Sequence, residues 1–256
     1  MKTDDGVSAV VSVMLILAVL VTAVAVCSAT YVPEMKQNAE ILHTEEIEEA
    51  FLRFSSDVDS LYSLGKSAEY SETFVLGGGD ILLSPSKSSG TLRIQNISLG
   101  ELVIGSYEPI SISTVNVTYV PSFSTWDLQG YKYEKGLVWV TKDTKEIPAL
   151  LSIYTKEEGK TFSENHVNNW TSTMSDSIET GNNTVEMTII NLYADPDADF
   201  LSGSANAVLG ISAKKMTESM VLNSGGTIRY NNITWFTAVN ATTVTLNTIS
   251  GKVSAR

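Results

Sequence analysis

The side chains that could support catalysis or metal binding are few in this chain, and most of them stand apart. There are two histidines, His43 and His166, and one cysteine, Cys27. Three glutamates near His43 could join its imidazole as metal ligands, namely Glu40, Glu45 and Glu46. Carboxylate oxygen and imidazole nitrogen together suit several divalent metals. Charges at these spacings are more simply a solvated helix face, so we predict no metal site there.

Two further patterns begin like known sites without completing them. Asp195, Asp197 and Asp199 alternate as at the start of a calcium-binding loop, but Phe200 stands where such a loop needs glycine. An acidic turn that stops at Pro196 is the simpler interpretation. Ser-x-x-Lys occurs three times, without the partner motifs of penicillin-binding enzymes. We therefore predict no enzyme activity, no resident metal and no cofactor.

Asparagine is the residue type whose pattern does predict covalent chemistry. The chain has six Asn-x-Ser/Thr sequons, with acceptors at Asn96, Asn116, Asn169, Asn182, Asn232 and Asn240. A sequon is an acceptor for N-glycosylation only on an exported face of a membrane. We expect some of the six to be modified, and we expect those inside strands, such as Asn116, to be the poorer acceptors.

The overall composition favours an exported protein. Acidic residues outnumber basic ones 29 to 17, the formal net charge is −12, and only 18% of the residues are charged. Binding to nucleic acid needs clustered Lys and Arg, so nucleic acid is not an expected partner. Because Cys27 is the single cysteine, no disulfide can form within the chain.

The element around which the chain is organised is the stretch 7–32, in which no residue is charged. As a helix it would be about 39 Å long, enough to cross a hydrocarbon core of about 30 Å. Helix is the state that pairs every backbone group of such a segment in lipid. Small residues such as Ala18 and Ala25 would let a second helix approach closely. We predict a single membrane helix, with the C-terminal domain outside the cell.

Three interpretations of this N-terminus are compatible with the sequence. The first is a secretory signal peptide cut near Ala25 or Ala29, although the apolar run is longer than such peptides usually have. The second is a membrane anchor that is never cut. The third depends on the leader MKTDDG, a short polar segment that ends in Gly6 directly before the apolar stretch.

This leader and helix resemble the class III signal of type IV pilins and archaellins, and the opening VSAVV is most similar to archaeal pilin-like proteins. The resemblance implies that a prepilin peptidase-like enzyme cuts between Gly6 and Val7 and that the helix is retained. It also implies packing with other copies, or with other pilins, through that helix. Two departures from the family are present. Asp4 and Asp5 stand where many members have Lys or Arg, and Val11 stands where many bacterial pilins have Glu.

Beyond the membrane, residues 33–66 predict an amphipathic helix that continues outward as a stalk. Pro33 must bend this helix or restart it. An apolar stripe recurs at spacings of four and three, formed by Ile47, Phe51, Phe54, Val58 and Leu61. Gly65 is placed to cap the C-terminus of the helix.

Residues 67–256 alternate apolar and polar side chains, which predicts strands. Turn signals predict one hairpin at 77–79 and another at 135–136. Residues 156–181 read as a polar excursion, and 205–222 as a strand or a short helix. The predicted fold class is α+β: a long N-terminal membrane and stalk helix followed by a mainly antiparallel β-sandwich head. The GGG hairpin and the later Y-x-Y-E-x-G-x-V strand resemble archaeal membrane proteins with pilin-like N-termini.

The predicted organisation is a leader at 1–6, a transmembrane or filament-core helix at 7–32, a stalk at 33–66 and an extracellular head at 67–256. One hypothesis is a pilin-like cell-surface subunit that assembles into a type IV pilus-like filament for adhesion. The other is a permanently anchored surface glycoprotein that binds an envelope component or a polysaccharide and does not enter filaments.

Overall fold

The computed structural model describes residues 4–78, 81, 87–123, 125–149, 179–181 and 183–256, and the side chains of these residues except 4–9, 179 and 181. Within these ranges the chain forms one long helix followed by β-strands. The predicted α+β class is therefore confirmed. Most of the predicted excursion at 156–181 lies outside the described residues.

Helix α1 runs from Asp4 to Leu64 and contains 61 residues, or about 90 Å of helix. It passes through Pro33 without interruption, so the helix does not restart there. Proline removes one N–H and so deprives one carbonyl, that of Ala29, of its helical donor. The helix ends as predicted: Gly65 has φ +56° and its N–H donates to the Leu61 carbonyl at 3.1 Å. This is a left-handed glycine cap.

The strands, numbered in chain order, form two sheets. Sheet A has the order β1 (Ala68–Val75), β10 (Asn206–Leu222), β13 (Thr242–Ala255), β8 (Thr184–Ala194) and β7 (Glu179–Gly181). Sheet B has the order β12 (Ile233–Thr237), β11 (Thr227–Tyr230), β2 (Ser89–Ile104), β3 (Ile110–Ser122), β4 (Gln129–Glu134), β5 (Leu137–Lys142) and β6 (Lys145–Pro148). A short strand also pairs with β2, namely β9 (Phe200–Gly203).

The two sheets face each other, and the C-terminal half of α1 fills one side of the gap between them. Phe51 on the helix meets Phe74 of sheet A edge to face, with ring centroids 5.1 Å apart, and stacks on Tyr131 of sheet B at 6.0 Å. Its neighbour Phe54 meets Tyr133 of sheet B at 5.1 Å. All five residues of the predicted apolar stripe are buried. A second hydrophobic core contains no helix residue and lies between the two sheets, with residues such as Met187 of sheet A and Leu102 of sheet B.

The described strands pair over long distances along the chain: β1 pairs with β10 in sheet A, while β2 pairs with β3 and β11 in sheet B. Most of the second strand of the hairpin predicted at 77–79 lies outside the described residues, so that hairpin stays a prediction. Within the described strands every pairing is antiparallel except that of β8 with β13, which is parallel. The hairpin at Lys135-Gly136 is confirmed, with both residues at positive φ. The undecided segment 205–222 is a strand, β10.

Candidate functional site

The apolar half of α1 extends from the head with nothing covering it. Every side chain from Val10 to Tyr31 is exposed, and this stretch is about 33 Å long. Its threonines satisfy their hydroxyls inside the helix: Thr22 donates to the Ala18 carbonyl at 2.7 Å and Thr30 to the Val26 carbonyl at 2.8 Å. Among the residues described, α1 is the one helix long and apolar enough to cross a membrane, judged by length and composition.

The head begins abruptly where the apolar stretch ends. Lys36 is the first residue of α1 that is fully buried, and about 6 Å of helix axis separates it from Val32. One turn later Glu40 is buried, followed by His43 and Thr44. We call these four helix residues and the residues around them the collar. The residues that surround the helix here are Tyr119 of β3 and the loop residues Gly78, Ser88, Phe123, Thr125 and Trp126.

Glu40 is the polar centre of the collar, with 0% of its surface exposed. Its Oε1 accepts a hydrogen bond from the Ser88 hydroxyl at 2.9 Å. Its Oε2 accepts from the Thr125 hydroxyl at 2.6 Å, from the Thr125 N–H at 3.2 Å and from the Trp126 N–H at 2.9 Å. A buried carboxylate is tolerated only when such donors replace its water. The result is a latch that ties two loops of sheet B to the helix.

His43 forms the second polar contact of the collar and is 3% exposed. The Tyr119 hydroxyl donates to the Leu76 carbonyl at 3.0 Å and lies 3.0 Å from His43 Nε2. Because the hydroxyl has one proton, Nε2 must carry its own and donate to the tyrosine oxygen. Nδ1 is buried without a hydrogen-bond partner. Burial lowers the pKa of His43, against opposing contributions from Glu46 and Glu40, so the ring is neutral at pH 7.

The loop that holds His43 depends on a glycine. A Cβ at Gly78 would overlap the imidazole ring of His43, so only glycine lets this backbone approach the helix. Phe123 also contacts the ring, edge to face, with centroids 6.0 Å apart. His43 is therefore fixed by packing as well as by its hydrogen bond.

Further along α1, polar side chains connect the helix to both sheets. The Tyr131 hydroxyl donates to Glu48 at 2.9 Å, which joins the helix to β4. Arg53 pairs with Glu72 of β1 at 2.8 Å and with Glu49 of its own helix at 2.7 Å. These exposed ion pairs add little stability, but together with the aromatic core they make the C-terminal half of α1 part of the head.

The sequence prediction of a solvated face around His43 is wrong for two of its residues. Glu45 and Glu46 are exposed, whereas Glu40 and His43 are buried. The signal that would have identified them was present. Glu40, His43 and Ile47 are spaced by three and four, so they extend the apolar stripe by two positions toward the apolar half of α1.

The predicted glycosylation sites are spread over the head. Asn96 lies on β2 and accepts a hydrogen bond from the Ala194 N–H at 2.7 Å. Asn116 lies on β3, and its Oδ1 is buried. Asn232 and Asn240 are exposed, in the turn before β12 and the loop after it. The remaining two acceptors, Asn169 and Asn182, lie outside the described residues.

The other sequence candidates do not join the collar. Asp195 Oδ2 pairs with Lys252 Nζ at 2.9 Å, and its Oδ1 accepts from the Asp197 N–H at 3.3 Å. Lys252 lowers the pKa of the Asp195 carboxyl, so this carboxylate belongs to a structural turn. The predicted cleavage residues Gly6 and Val7 lie on the helical backbone of α1, and their side chains are not among those described. No protein-family model, no curated protein and no solved structure matches this chain.

Proposed function

We propose that this protein is a pilin-like cell-surface subunit that is held in the membrane by the apolar half of α1 and is assembled through that half into a type IV pilus-like filament. The observation that carries the proposal is that the two halves of α1 differ in burial. Its side chains are all exposed from Val10 to Tyr31, whereas from Lys36 onward one side of the helix is packed against the head.

The exposed apolar half of α1 needs an apolar environment to bury its side chains. Each large aliphatic side chain left in water forgoes about 1.5–3 kcal/mol relative to burial, and the stretch carries many of them. Lipid provides the covering before assembly, and neighbouring copies of the same helix provide it in a filament. Repeating one helix contact without closure generates a rod.

The collar gives the filament a mechanical connection. A force on the head is transmitted to the helices at the centre of the filament only if α1 cannot slide relative to the two sheets that hold it. The hydrogen bonds of Glu40 lie at the membrane-proximal end of the part of α1 that the head holds, and the left-handed cap at Gly65 lies at its other end. This arrangement supports a subunit whose head and helix move as one body.

Maturation by a prepilin peptidase-like enzyme between Gly6 and Val7 belongs to the same proposal. The proposed cleavage site lies in the first turn of the described helix, which runs from Asp4, and the first N–H groups of a helix have no partner within it. Gly6 lowers the cost of unwinding these residues into a protease site. The mature chain then starts with the apolar helix, and the head, with its sequons, faces outside the cell.

The second candidate is a permanently anchored surface glycoprotein that binds an envelope component. The observation that favours it is the pair Asp4 and Asp5, since acidic residues replace the Lys or Arg that many pilins have before the cleavage site. This candidate uses the same membrane helix and outward head but has no filament and no cut.

The two candidates are separated by shearing cells and probing the filament and membrane fractions for the head. We expect the parent protein in both fractions. Gly6→Val should confine it to the membrane fraction, while the control Thr3→Val, inside the leader but away from the cut, should behave like the parent. Absence of the parent from sheared filaments would leave the anchored surface protein.

A further inference from the structure

Strand β12 is an edge of sheet B and ends in exposed apolar residues. Its one partner in the described sheet is β11. Val239, 83% exposed, and Ile233, 63% exposed, have the two highest exposures among the large hydrophobic side chains described in the head. Ile233 opens the strand and Val239 follows it. An edge strand with apolar ends invites pairing with another chain.

Each of these two side chains adjoins an acceptor asparagine. Ile233 is the middle residue of the sequon Asn232-Ile233-Thr234, and Val239 directly precedes Asn240. Asn232 is exposed at φ +68°, as the second residue of the tight turn between β11 and β12. The first residue, Asn231, uses its own amide to bind the Glu101 N–H and the Leu99 carbonyl, so it fixes the turn on β2. Asn240 is exposed in the loop beyond the strand.

The two other acceptors described in the head are differently placed. The Asn96 side chain is exposed, but its amide oxygen is held as the acceptor for the Ala194 N–H at 2.7 Å, which connects β2 to the end of β8. The Asn116 amide oxygen is buried in the middle of sheet B. The sugar would be attached at Nδ2, so either amide would have to leave these positions in the folded head to reach a glycosylating enzyme.

We propose that Asn232 and Asn240 are N-glycosylated and that their glycans cover the apolar ends of β12, while Asn96 and Asn116 stay unmodified. The donor is an oligosaccharide linked to a lipid phosphate. The asparagine Nδ2 forms a bond to the anomeric carbon as the bond from that carbon to the phosphate oxygen breaks, and the amide gives up one proton. Nothing is oxidised or reduced. The inference rests on the proposed export of the head, which both candidate functions share.

The glycans would act as blocks to edge pairing. The bulge between Ile228 and Arg229, opposite Trp235, already disturbs the middle of β12. The ends remain free to pair with the edge of another head, and a sugar attached beside each end removes that option. In a surface structure where many heads stand close together, such a block keeps contacts between heads from competing with contacts between helices.

Mass spectrometry of the protein isolated from its own cells tests the modification. Trypsin releases residues 230–252 with both proposed sites, and chymotrypsin separates them by cutting after Phe236. Residues 94–132 form the matched control peptide with Asn96 and Asn116. We expect glycan mass on both acceptors of the first peptide and on neither acceptor of the second. Unmodified 230–252 overturns the inference, as does a modified control peptide.

Protease treatment of intact cells separates this failure from that of the proposed function. An unmodified peptide 230–252 from a head that protease can reach overturns the glycan inference alone. An unmodified peptide from a head that is fully protected overturns export, and with it both proposals.

A matched pair of variants tests the shielding role in the detergent-solubilised full chain. Thr234→Ala and Thr234→Lys each remove the sequon at Asn232, and each is combined with Asn240→Gln. Only the lysine supplies a charge that opposes edge pairing. We expect the alanine form to self-associate at least about tenfold more tightly than the parent, and the lysine form to match the parent. Equal self-association of both variants and the parent would overturn the shielding role.

Discussion

Removing the carboxylate of Glu40 should loosen the collar. In Glu40→Ala the Ser88 hydroxyl and the Trp126 N–H lose their acceptor, together with the two donors of Thr125. A buried donor left unpaired costs about 1–3 kcal/mol. Ser88 is 1% exposed and pays this cost in full. Thr125 is exposed, so water replaces its two bonds at little cost.

The expected loss in the free energy of unfolding is therefore about 2–4 kcal/mol, less than the sum of four separate bonds because members of one network are not additive. Glu40→Gln keeps an acceptor oxygen for the three donors at Oε2, and Ser88 can turn to accept from the new amide. We expect a loss of about 1 kcal/mol, the value of the lost charge assistance.

Urea unfolding of the detergent-solubilised full chain measures these losses as shifts in midpoint at constant slope. Hydrogen exchange at the Trp126 amide reports the latch directly, and its protection should fall most in Glu40→Ala. Glu45→Gln is the matched control, since that carboxylate is exposed on the same helix, and it should stay within about 0.5 kcal/mol of the parent. If Glu40→Ala equals Glu45→Gln in both measurements, the latch does not exist.

Three further predictions concern the collar and the helix. Because the pKa of His43 is lowered in the fold, the unfolded chain binds more protons below about pH 6.5. The free energy of unfolding should therefore fall between pH 7 and pH 5, and it should fall more steeply in the parent than in His43→Gln. Equal slopes in the two proteins would contradict the burial of a neutral His43. Gly78→Ala should cost about 1–3 kcal/mol by overpacking on His43, whereas Gly210→Ala, whose Cβ meets only ordinary contacts, should be neutral or slightly stabilising in the same unfolding assay. Replacing Ala18 or Ala25 by Leu should reduce sheared-filament yield by overpacking between helices, at about 1–3 kcal/mol per site, while the yield in the membrane fraction stays unchanged; filament yield equal to that of the parent would contradict helix packing at these positions.

The parts of the fold that depend on local pattern were predictable from the sequence. The stripe from Ile47 to Leu61 is buried because a helix brings spacings of three and four to one side. Gly65 caps the helix because a left-handed residue must end it there. The hairpin at Lys135-Gly136 formed because its turn places two adjacent residues at positive φ.

The pairing between distant strands was not predictable in this way. β8 and β13 lie far apart in the chain and run parallel, and no local pattern specifies that pairing. The triple glycine predicts a turn from local pattern, but Gly78 also allows the close approach of its backbone to His43, a contact that exists only in the folded chain. Sequence alone does not show this second use of glycine.

The candidate site was missed because its residues are polar. Glu40 and His43 continue the apolar stripe by position but not by type, so they were assigned to solvent. Burial of Glu40 depends on donors from Ser88, Thr125 and Trp126, which reach the helix from loops of sheet B, and His43 is paired with the Tyr119 hydroxyl. Residue type predicts exposure only when no distant partner replaces water.

The N-terminal residue of the mature protein tests the central claim most directly. Intact mass and N-terminal sequencing of the protein purified from membranes and from sheared filaments should give a chain that begins at Val7 and keeps the whole apolar half of α1. A chain that begins after Ala25 or Ala29 would mean ordinary secretion, and a chain that begins at Met1 in every fraction would mean a permanent anchor. Either result would contradict a pilin-like subunit.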